Sequence, residues 1–542
     1  MKKLKAFAAL LLSAVTVVSS AVPVLASDAT ADTTAETAVI SEVEEEVAAT
    51  TCVTTVEELV AVIDAAKTET GMMEAYNNYA AMSRTFNAPT VVTTQKTYDA
   101  AVVANFQAAL AQDANTALLG VTFPAMPVSD DGVVYVYALN PYEYAIPMGA
   151  QPIAAAPANT SILFNFPLGF GTANTRLYQK FVAAVKIGGK VVQVSAPQYI
   201  TNPEVLATHT KPYVPIVKGL QRTSMWNVNI DGMGINYPTY GMQVIKICAS
   251  LNPASVTVNP YAQIPDSAPI PHNEFALNAF NQAGVNALAL DSSILACGSG
   301  QAFIIGNEVN ERQRYYMSFQ GDQTFVKEYY QAFRVCYNAI KSQNANARVF
   351  ISITQDWNRN RPGDVKMYVD GKDFCDIFNA YICSEGNIDY GISFHPYTVP
   401  LTYAKYWDMS GCANGAYMAN QVKSGAMISF QNMSLLTGYL TQPQFFNPAG
   451  QPRYFIIDEI GVSAMQGADV QAAALATLWA SYVSNPFVHE LIYCDGADMS
   501  TNPSLSGQSA AMWDALGTPN EAAYMQWAMS YLGISNWSQV IR

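Results

Sequence analysis

The stretch Ala302-Phe-Ile-Ile-Gly-Asn-Glu308 sets four apolar residues in a row, breaks at glycine and ends on a carboxylate. A run that short, closed by a turn residue, reads as a strand buried on both faces rather than as a helix. Similar runs recur on either side of it. Upstream, strands are expected within Val214–Asp231, at Val256–Asn259 and at Val285–Asp291; downstream, at Arg348–Thr354, Tyr390–Pro396, Tyr454–Glu459 and Glu490–Asp495. Helical patterns fall between them at Met242–Ser250, Asn273–Gly284, Gln323–Lys341, Ile428–Leu440, Val470–Ser484 and Ala510–Tyr531. Eight buried strands separated by helices predict an α/β fold, a (β/α)8 (TIM) barrel over residues 206–542, with a doubly wound sheet as the alternative. One connection conflicts with this count. Only Ser292–Gln301 separates the third and fourth strands, fewer than the roughly dozen residues a parallel crossover needs. Either that helix is stunted or the strand count is off by one.

Before the barrel the pattern differs. Residues 121–205 carry short runs of β-formers, Val133-Val-Tyr-Val-Tyr, Ser161-Ile-Leu-Phe-Asn-Phe and Phe181-Val-Ala-Ala-Val-Lys-Ile. Gly188-Gly189 closes a hairpin onto Val191-Val-Gln-Val, so a small antiparallel β-sandwich is expected there. Residues 52–120 read as a helical segment. Val56-x-x-Leu59-Val60-x-x-Ile63 and Val103-x-x-Phe106-x-x-Ala109-Leu110 each fit one helical face, and Thr55 with Glu58 makes a capping box. Residues 27–51 are Ala, Thr and acid without an aromatic, an acidic linker. Residues 1–26 form a signal peptide: Lys2, Lys3 and Lys5, an apolar run from Ala6 to Val18, then Val24-Leu-Ala26. The rival reading of that run is a membrane anchor, which Ser19-Ser20 and Pro23 weaken. The expectation is a secreted, extracellular protein with no membrane span after cleavage.

Composition narrows the partners. The chain has 42 Asp and Glu against 28 Lys and Arg, a net charge of −14. Such a surface repels phosphate backbones, so no nucleic-acid partner is expected. Eight cysteines permit disulfides in an exported chain, and Cys375 and Cys383, or Cys297 and Cys412, are placed where a bridge is feasible. No CxxC pair, HExxH, GxSxG or Walker loop occurs, so neither a metal nor a cofactor is implied.

In a barrel the reactive groups sit at the C-terminal ends of the strands. The fourth strand ends on Asn307-Glu308, the sixth on His395-Pro-Tyr397 and the seventh on Asp458-Glu459. A carboxylate at the end of an apolar strand is costly to desolvate, and two of them facing each other suit acid/base work on a glycosidic bond. The plainer reading is that each bonds backbone amides at the rim. Trp357, after the fifth strand, is either a stacking surface for a sugar or loop packing. Asp291 and Asp356, at the ends of the third and fifth strands, are weaker candidates for bonding hydroxyls.

These motifs carry a resemblance. The barrel half resembles the clan A glycoside hydrolases. More closely, Leu177-Tyr-Gln-Lys-Phe-Val-Ala-Ala-Val, Tyr199-Ile-Thr-Asn-Pro-Glu204, Ile305-Gly-Asn-Glu-Val-Asn310, Phe394-His-Pro-Tyr397 and Asp458-Glu-Ile-Gly461 are similar to an uncharacterised family of secreted bacterial proteins, a domain of unknown function on such a barrel. The resemblance implies Glu308 as acid/base and Glu459 as nucleophile in a retaining hydrolase. It implies that Asn307 bonds the sugar's 2-hydroxyl, and that His395 and Tyr397 orient Glu459 and a carbohydrate substrate. Two departures bear on turnover: Glu311-Arg-Gln-Arg-Tyr-Tyr316 stands where the family carries a Trp, and Tyr493-Cys-Asp495 where clan A has a strand-eight Trp. A catalytically inactive carbohydrate-binding or cell-surface protein on the same barrel is therefore the second hypothesis.

Overall fold

A computed structural model describes residues 105–111, 115–143, 145–209, 213, 221–223, 234–237, 244–247, 277, 279, 282–298, 300–311, 322–359, 369–494 and 521–541. The proposed signal, the linker, the helical pattern at Val56–Ile63 and the expected strand Val256–Asn259 lie outside them.

Eight strands build the first part: β1 (Asn105–Leu110), β2 (Thr116–Thr122), β3 (Val133–Leu139), β4 (Ala154–Pro157), β5 (Ser161–Pro167), β6 (Lys180–Ile187), β7 (Lys190–Gln193) and β8 (Gln198–Tyr199). They form two antiparallel sheets, ordered β1-β2-β5 and β4-β3-β6-β7, with β8 also paired to β6. Strand β5 alternates strictly, with Ile162, Phe164 and Phe166 buried and their neighbours exposed. Those three share one core with Leu119 and Val121 from their own sheet and with Val134, Val136, Phe181 and Val185 from the other. The hairpin at Gly188-Gly189 is present, Ile187 opposite Lys190. Both glycines have positive φ, +60° and +71°, as a two-residue turn between right-twisted strands requires.

The helical expectation for Val103–Leu110 fails. Asn105–Leu110 is a strand, paired antiparallel from Asn105↔Thr122 to Leu110↔Ala117. Apolar residues three apart over one or two turns fit either period, and the partner strand decides.

The second part holds β9 (Gln221–Thr223), β10 (Gly234–Tyr237), β11 (Val244–Ile247), β12 (Ala302–Ile305), β13 (Arg348–Ile353), β14 (Gly391–Phe394), β15 (Phe455–Ile460) and β16 (Val488–Cys494). They make one sheet in the order β10-β11-β12-β13-β14-β15-β16-β9. Every pairing is parallel except β10 with β11. From β11 on, helices follow the strands: α1 (Gln282–Cys297), α2 (Asp322–Gln343), α3 (Gly371–Ser384), α4 (Gly415–Lys423), α5 (Met433–Leu440), α6 (Ala468–Ser484) and α7 (Glu521–Leu532). Consecutive parallel strands from β11 to β16 are neighbours, and the first strand of this sheet in sequence, β9, lies against its last, β16. A doubly wound sheet reverses direction from its first strand, so that alternative is set aside. The described pairings stop at β9 on one side and β10 on the other.

The expected third strand, Val285–Asp291, lies inside α1. Its Val285, Leu288, Ala289, Ser292 and Ala296 are buried at three- and four-residue spacing, and its alanines and leucines favour a helix. The strand that precedes β12 is instead β11, within the stretch expected to be the helix Met242–Ser250. This moves the crossover upstream and gives it α1, which removes the conflict over the short connection. Asp291 is thereby a buried helical residue, not a strand end.

The parallel sheet curls, and its two faces differ. Ile245, Ile247, Phe303, Ile305, Val349, Ile351 and Ile353 belong to the large core shared with the helices. Alternate residues turn to the concave side, where Val244, Ala302, Ile304, Phe350, Ile456 and Ile492 form a separate apolar cluster. Gly391 makes room for it: a Cβ there would overlap ring carbons of Phe350 and stand 3.0 Å from the Tyr454 carbonyl oxygen. Gly391→Ala is expected to cost ~1–3 kcal/mol by overpacking, read as a lower urea midpoint at unchanged slope.

Cys336, Cys375, Cys383 and Cys412 are thiols, so Cys375 and Cys383 are not bridged to each other.

Candidate active site

Above the apolar layer, toward the C-terminal ends of the strands, the concave face turns polar. Two residues beyond Val244, Phe350, Gly391 and Ile456 stand Lys246, Ser352, Ser393 and Asp458, with His395 two further along β14's direction. The period of two that buries the apolar layer therefore delivers a charged layer directly over it.

The charges meet in one cluster. Lys246 Nζ lies 2.8 Å from Asp458 Oδ2 and 3.3 Å from Glu459 Oε2, and donates to Asn307 Oδ1 at 2.5 Å. His395 Nδ1 is 3.0 Å from Glu308 Oε1, while its Nε2 is 3.0 Å from Asp458 Oδ1 and 4.0 Å from Glu459 Oε2. Tyr397 donates its hydroxyl to Glu459 Oε1 at 2.8 Å. Ser393 donates to Asp458 Oδ1. The side chains of Lys246, Asp458 and His395 are wholly buried, whereas Glu459 and Glu308 keep 11% and 15% exposure. Of the five ionisable groups, only the two glutamates reach the surface.

Local backbone explains how Glu308 gets there. After β12 the chain turns sharply, and Glu308 adopts φ +51°, in the left-handed region. For a residue with a Cβ this costs on the order of 1–3 kcal/mol. The turn is held by its neighbours: Glu308 N donates to Ser352 Oγ at 3.3 Å and Val309 N to Ser352 O at 2.8 Å. Asn310 is buried and donates to Thr354 Oγ1, Asp356 O and Val369 O, accepting in turn from Thr354 N.

Burial alone would strip a proton from His395, but Glu459 and Asp458 beside it, with hydrogen bonds to Asp458 and Glu308, raise its pKa to about 10. Burial likewise works against an ionised Asp458, yet Lys246 and His395 outweigh it and hold the carboxyl well below the usual carboxylate range. The histidine has a stability consequence. An unfolded imidazole titrates near ~6.5, so between there and about 10 only the folded state keeps the proton. Its contribution is complete below the unfolded value and is lost as pH rises through the folded one. Urea-unfolding stability should therefore decline from pH 7 to pH 10, and His395→Gln should flatten that decline.

Ser352 Oγ stands 3.2 Å from His395 Nε2, an arrangement that invites comparison with a serine nucleophile. Ser352 is fully buried and its oxygen accepts from Glu308 N, so no substrate can reach it.

Five of the six residues singled out from sequence thus converge: Asn307, Glu308, His395, Tyr397 and Glu459. Trp357 does not join them. It is 5% exposed and packs edge-on against Tyr439, ring centroids 5.6 Å apart, which leaves no open face for stacking. Asp356 pairs with Arg359 at 3.2 Å. Two central residues were not singled out, Lys246 and Asp458. A lone lysine in the apolar run Val244-Ile-Lys-Ile was the signal for the first. The second stood beside Glu459 in the same motif.

The family described as "Family of unknown function (DUF5722)" matches residues 239–540, more than half of the chain. The chain belongs to DUF5722. The matched segment contains every residue of the cluster. No curated protein matches. Among solved structures, this DUF5722 chain is similar to an FMN-binding β-glucuronidase from Facaelibacterium prausnitzii L2-6 (11% identity, 76% of this chain, 61% of that one, TM-score 0.23). It is also similar to a family 39 glycoside hydrolase from the gut symbiont Bacteroides cellulosilyticus WH2 (14%, 70% and 77%, TM-score 0.31). A β-glucosidase from Thermotoga maritima in complex with glucoimidazole follows (10%, 39% and 59%, TM-score 0.21). The chain spans less than two thirds of the first and third of these. At such scores the likenesses carry no argument. No helix among the described residues is long and apolar enough to cross a membrane.

Proposed function

We propose that this DUF5722 member is a secreted glycoside hydrolase, acting on a polysaccharide or oligosaccharide by a retaining two-carboxylate mechanism on a (β/α)8-type barrel. One observation carries the reading: among the described residues, the charged groups of a buried, charge-paired cluster reach the surface through the two glutamates, Glu308 and Glu459. Structural ion pairs have no need to keep two carboxyls partly exposed around one histidine, whereas glycoside cleavage requires a pair of carboxyls. Glu459, which accepts from Tyr397 and Lys246, attacks the anomeric carbon. Glu308, resting on His395, gives its proton to the departing oxygen and then takes one from the water that releases the sugar. Asn307, fixed by Lys246, stands beside Glu308 to meet a sugar hydroxyl. The layout of signal, linker, a helical segment ending before β1, sandwich and barrel is part of the same proposal.

The buried Trp357 favours a second reading, a carbohydrate-binding protein without turnover, because it removes one candidate sugar platform. A glycan-library hydrolysis screen of wild type beside Glu459→Gln separates the two. Binding without cleavage by the wild type leaves the second reading standing.

A further inference from the structure

The N-terminal ends of the parallel strands hold a second charged arrangement, at the opposite end of the sheet from the carboxylates. Arg348 opens β13, Asp389 stands two residues before β14, and Lys341 lies in the last turn of α2. With Tyr213, Ala345 and Ala347 they line a cavity of about 450 Å³, a size at which small molecules are bound.

Arg348 is the unusual member. Its Cζ lies 4.0 Å from the centroid of the Tyr454 ring and 5.2 Å from that of Tyr213. Both rings are anchored, since Tyr454 and Tyr213 donate their hydroxyls to the wholly buried Glu490 at 3.0 and 2.5 Å. Ring contacts engage the guanidinium's charge but not its five N–H donors. Arg334 and Arg453 show how such a group is otherwise completed. Each lies over a tyrosine, Tyr199 or Tyr390, and also donates to a carbonyl, of Gly386 or Ile388, at 2.7 Å. Among the described residues Arg348 has its rings and makes no side-chain hydrogen bond or ion pair. Lys341 Nζ donates to Ala345 O and Ala347 O, two acceptors for three donors. Asp389 is exposed and accepts from Asn447 Nδ2 at 3.1 Å, with capacity for further donors.

The plain reading is that Arg348 serves packing alone, the usual role at this end of a barrel. Glu490 offsets one positive charge from behind the rings and Asp389 a second at the rim. An anion would therefore be held by directed donors rather than by net charge, and a half-buried arginine fixed over two anchored rings supplies them. We propose that this cavity binds a small hydroxylated acid, a sugar bearing one carboxylate or phosphate. The anionic group takes the N–H donors of Arg348 and the remaining one of Lys341. Asp389 accepts from hydroxyls, and Ala345 and Ala347 leave room for the sugar ring. No residue of the cavity belongs to the carboxylate cluster, so the proposal stands apart from the hydrolase reading.

Calorimetric titration of the full chain tests it, with glucuronate and glucose 6-phosphate beside glucose and inorganic phosphate. One of the two acids should bind with Kd at or below about 1 mM, and glucose and phosphate at least about tenfold more weakly. Which acid binds tells a carboxylate from a phosphate ligand. Arg348→Gln should weaken that acid at least about tenfold, as loss of charge-assisted hydrogen bonds does. Absence of binding by both acids at about 10 mM overturns the proposal. Inorganic phosphate or glucose binding as tightly as the acids overturns it too, since the anionic group and the hydroxyls would not be read together. Affinity unchanged in Arg348→Gln places the ligand elsewhere and has the same force. Should Arg348→Gln not fold, wild-type crystals soaked with the bound acid decide: its anionic group is expected on Arg348, and any other position rejects the site.

Discussion

Glu459→Gln should lower kcat/KM on whichever glycan the wild type cleaves by at least about 10³-fold, the scale on which removal of a reacting group is felt. The substitution is nearly isosteric, so the fold tolerates it. Lys246 keeps its ion pair with Asp458 Oδ2 at 2.8 Å and its hydrogen bond to Asn307 Oδ1, and no buried cation is orphaned. Chemistry is what changes: an amide cannot form the glycosyl ester that a retaining mechanism passes through. One new amide N–H₂ also faces a donor, either Tyr397 or Lys246, where a carboxylate oxygen stood before. Activity within tenfold of wild type at unchanged thermal midpoint would remove Glu459 from the reaction and with it the proposed mechanism.

Lys246→Met should destabilise the chain by ~3–5 kcal/mol, the cost of leaving a buried charge without its partner. Methionine matches the lysine stem in length, so packing on the concave face is kept and the ammonium alone is lost. Among the described residues, Asp458, with no exposed surface, then keeps His395 and Ser393, and Glu459 keeps Tyr397. Urea denaturation followed by fluorescence reads the loss as a lower midpoint. Lys405, paired with Asp408 at 2.7 Å on the surface, with its side chain 36% exposed, is the matched control. Water screens that pair and each ion keeps its hydration, so Lys405→Met should leave the midpoint where it was. If the two variants behave alike, the buried cluster is not the electrostatic keystone its distances describe.

The strand ends at Glu308, His395 and Glu459 were legible because each joins a polar motif to an apolar run of strand length, and a buried strand cannot easily hide a carboxylate. The Gly188-Gly189 hairpin was legible for a similarly local reason, the turn that two positive φ values require. The failures share a cause too. Val285–Asp291 is apolar, short and flanked by polar residues, which describes a buried strand and a helix face equally well. At Val244–Ile247 four residues show no period at all, so a pattern borrowed from its flanks made it helical and concealed Lys246. Trp357 was ambiguous because stacking on a sugar and packing on Tyr439 require the same side chain. Which partner strand lies alongside, and what fills the space above a ring, are properties of tertiary contact. One-dimensional spacing carries only their shadow.

The left-handed backbone at Glu308 has a consequence for the history of this fold. Glycine or asparagine would sit in that turn with less strain, so every generation in which the carboxyl has no task offers an incentive to lose it. Glutamate at this position is a local disadvantage, and the proposed chemistry would offset it. Among chains that share this fold, the residue found at this one turn can therefore separate lineages in which the proposed chemistry is under selection from those that keep the scaffold alone.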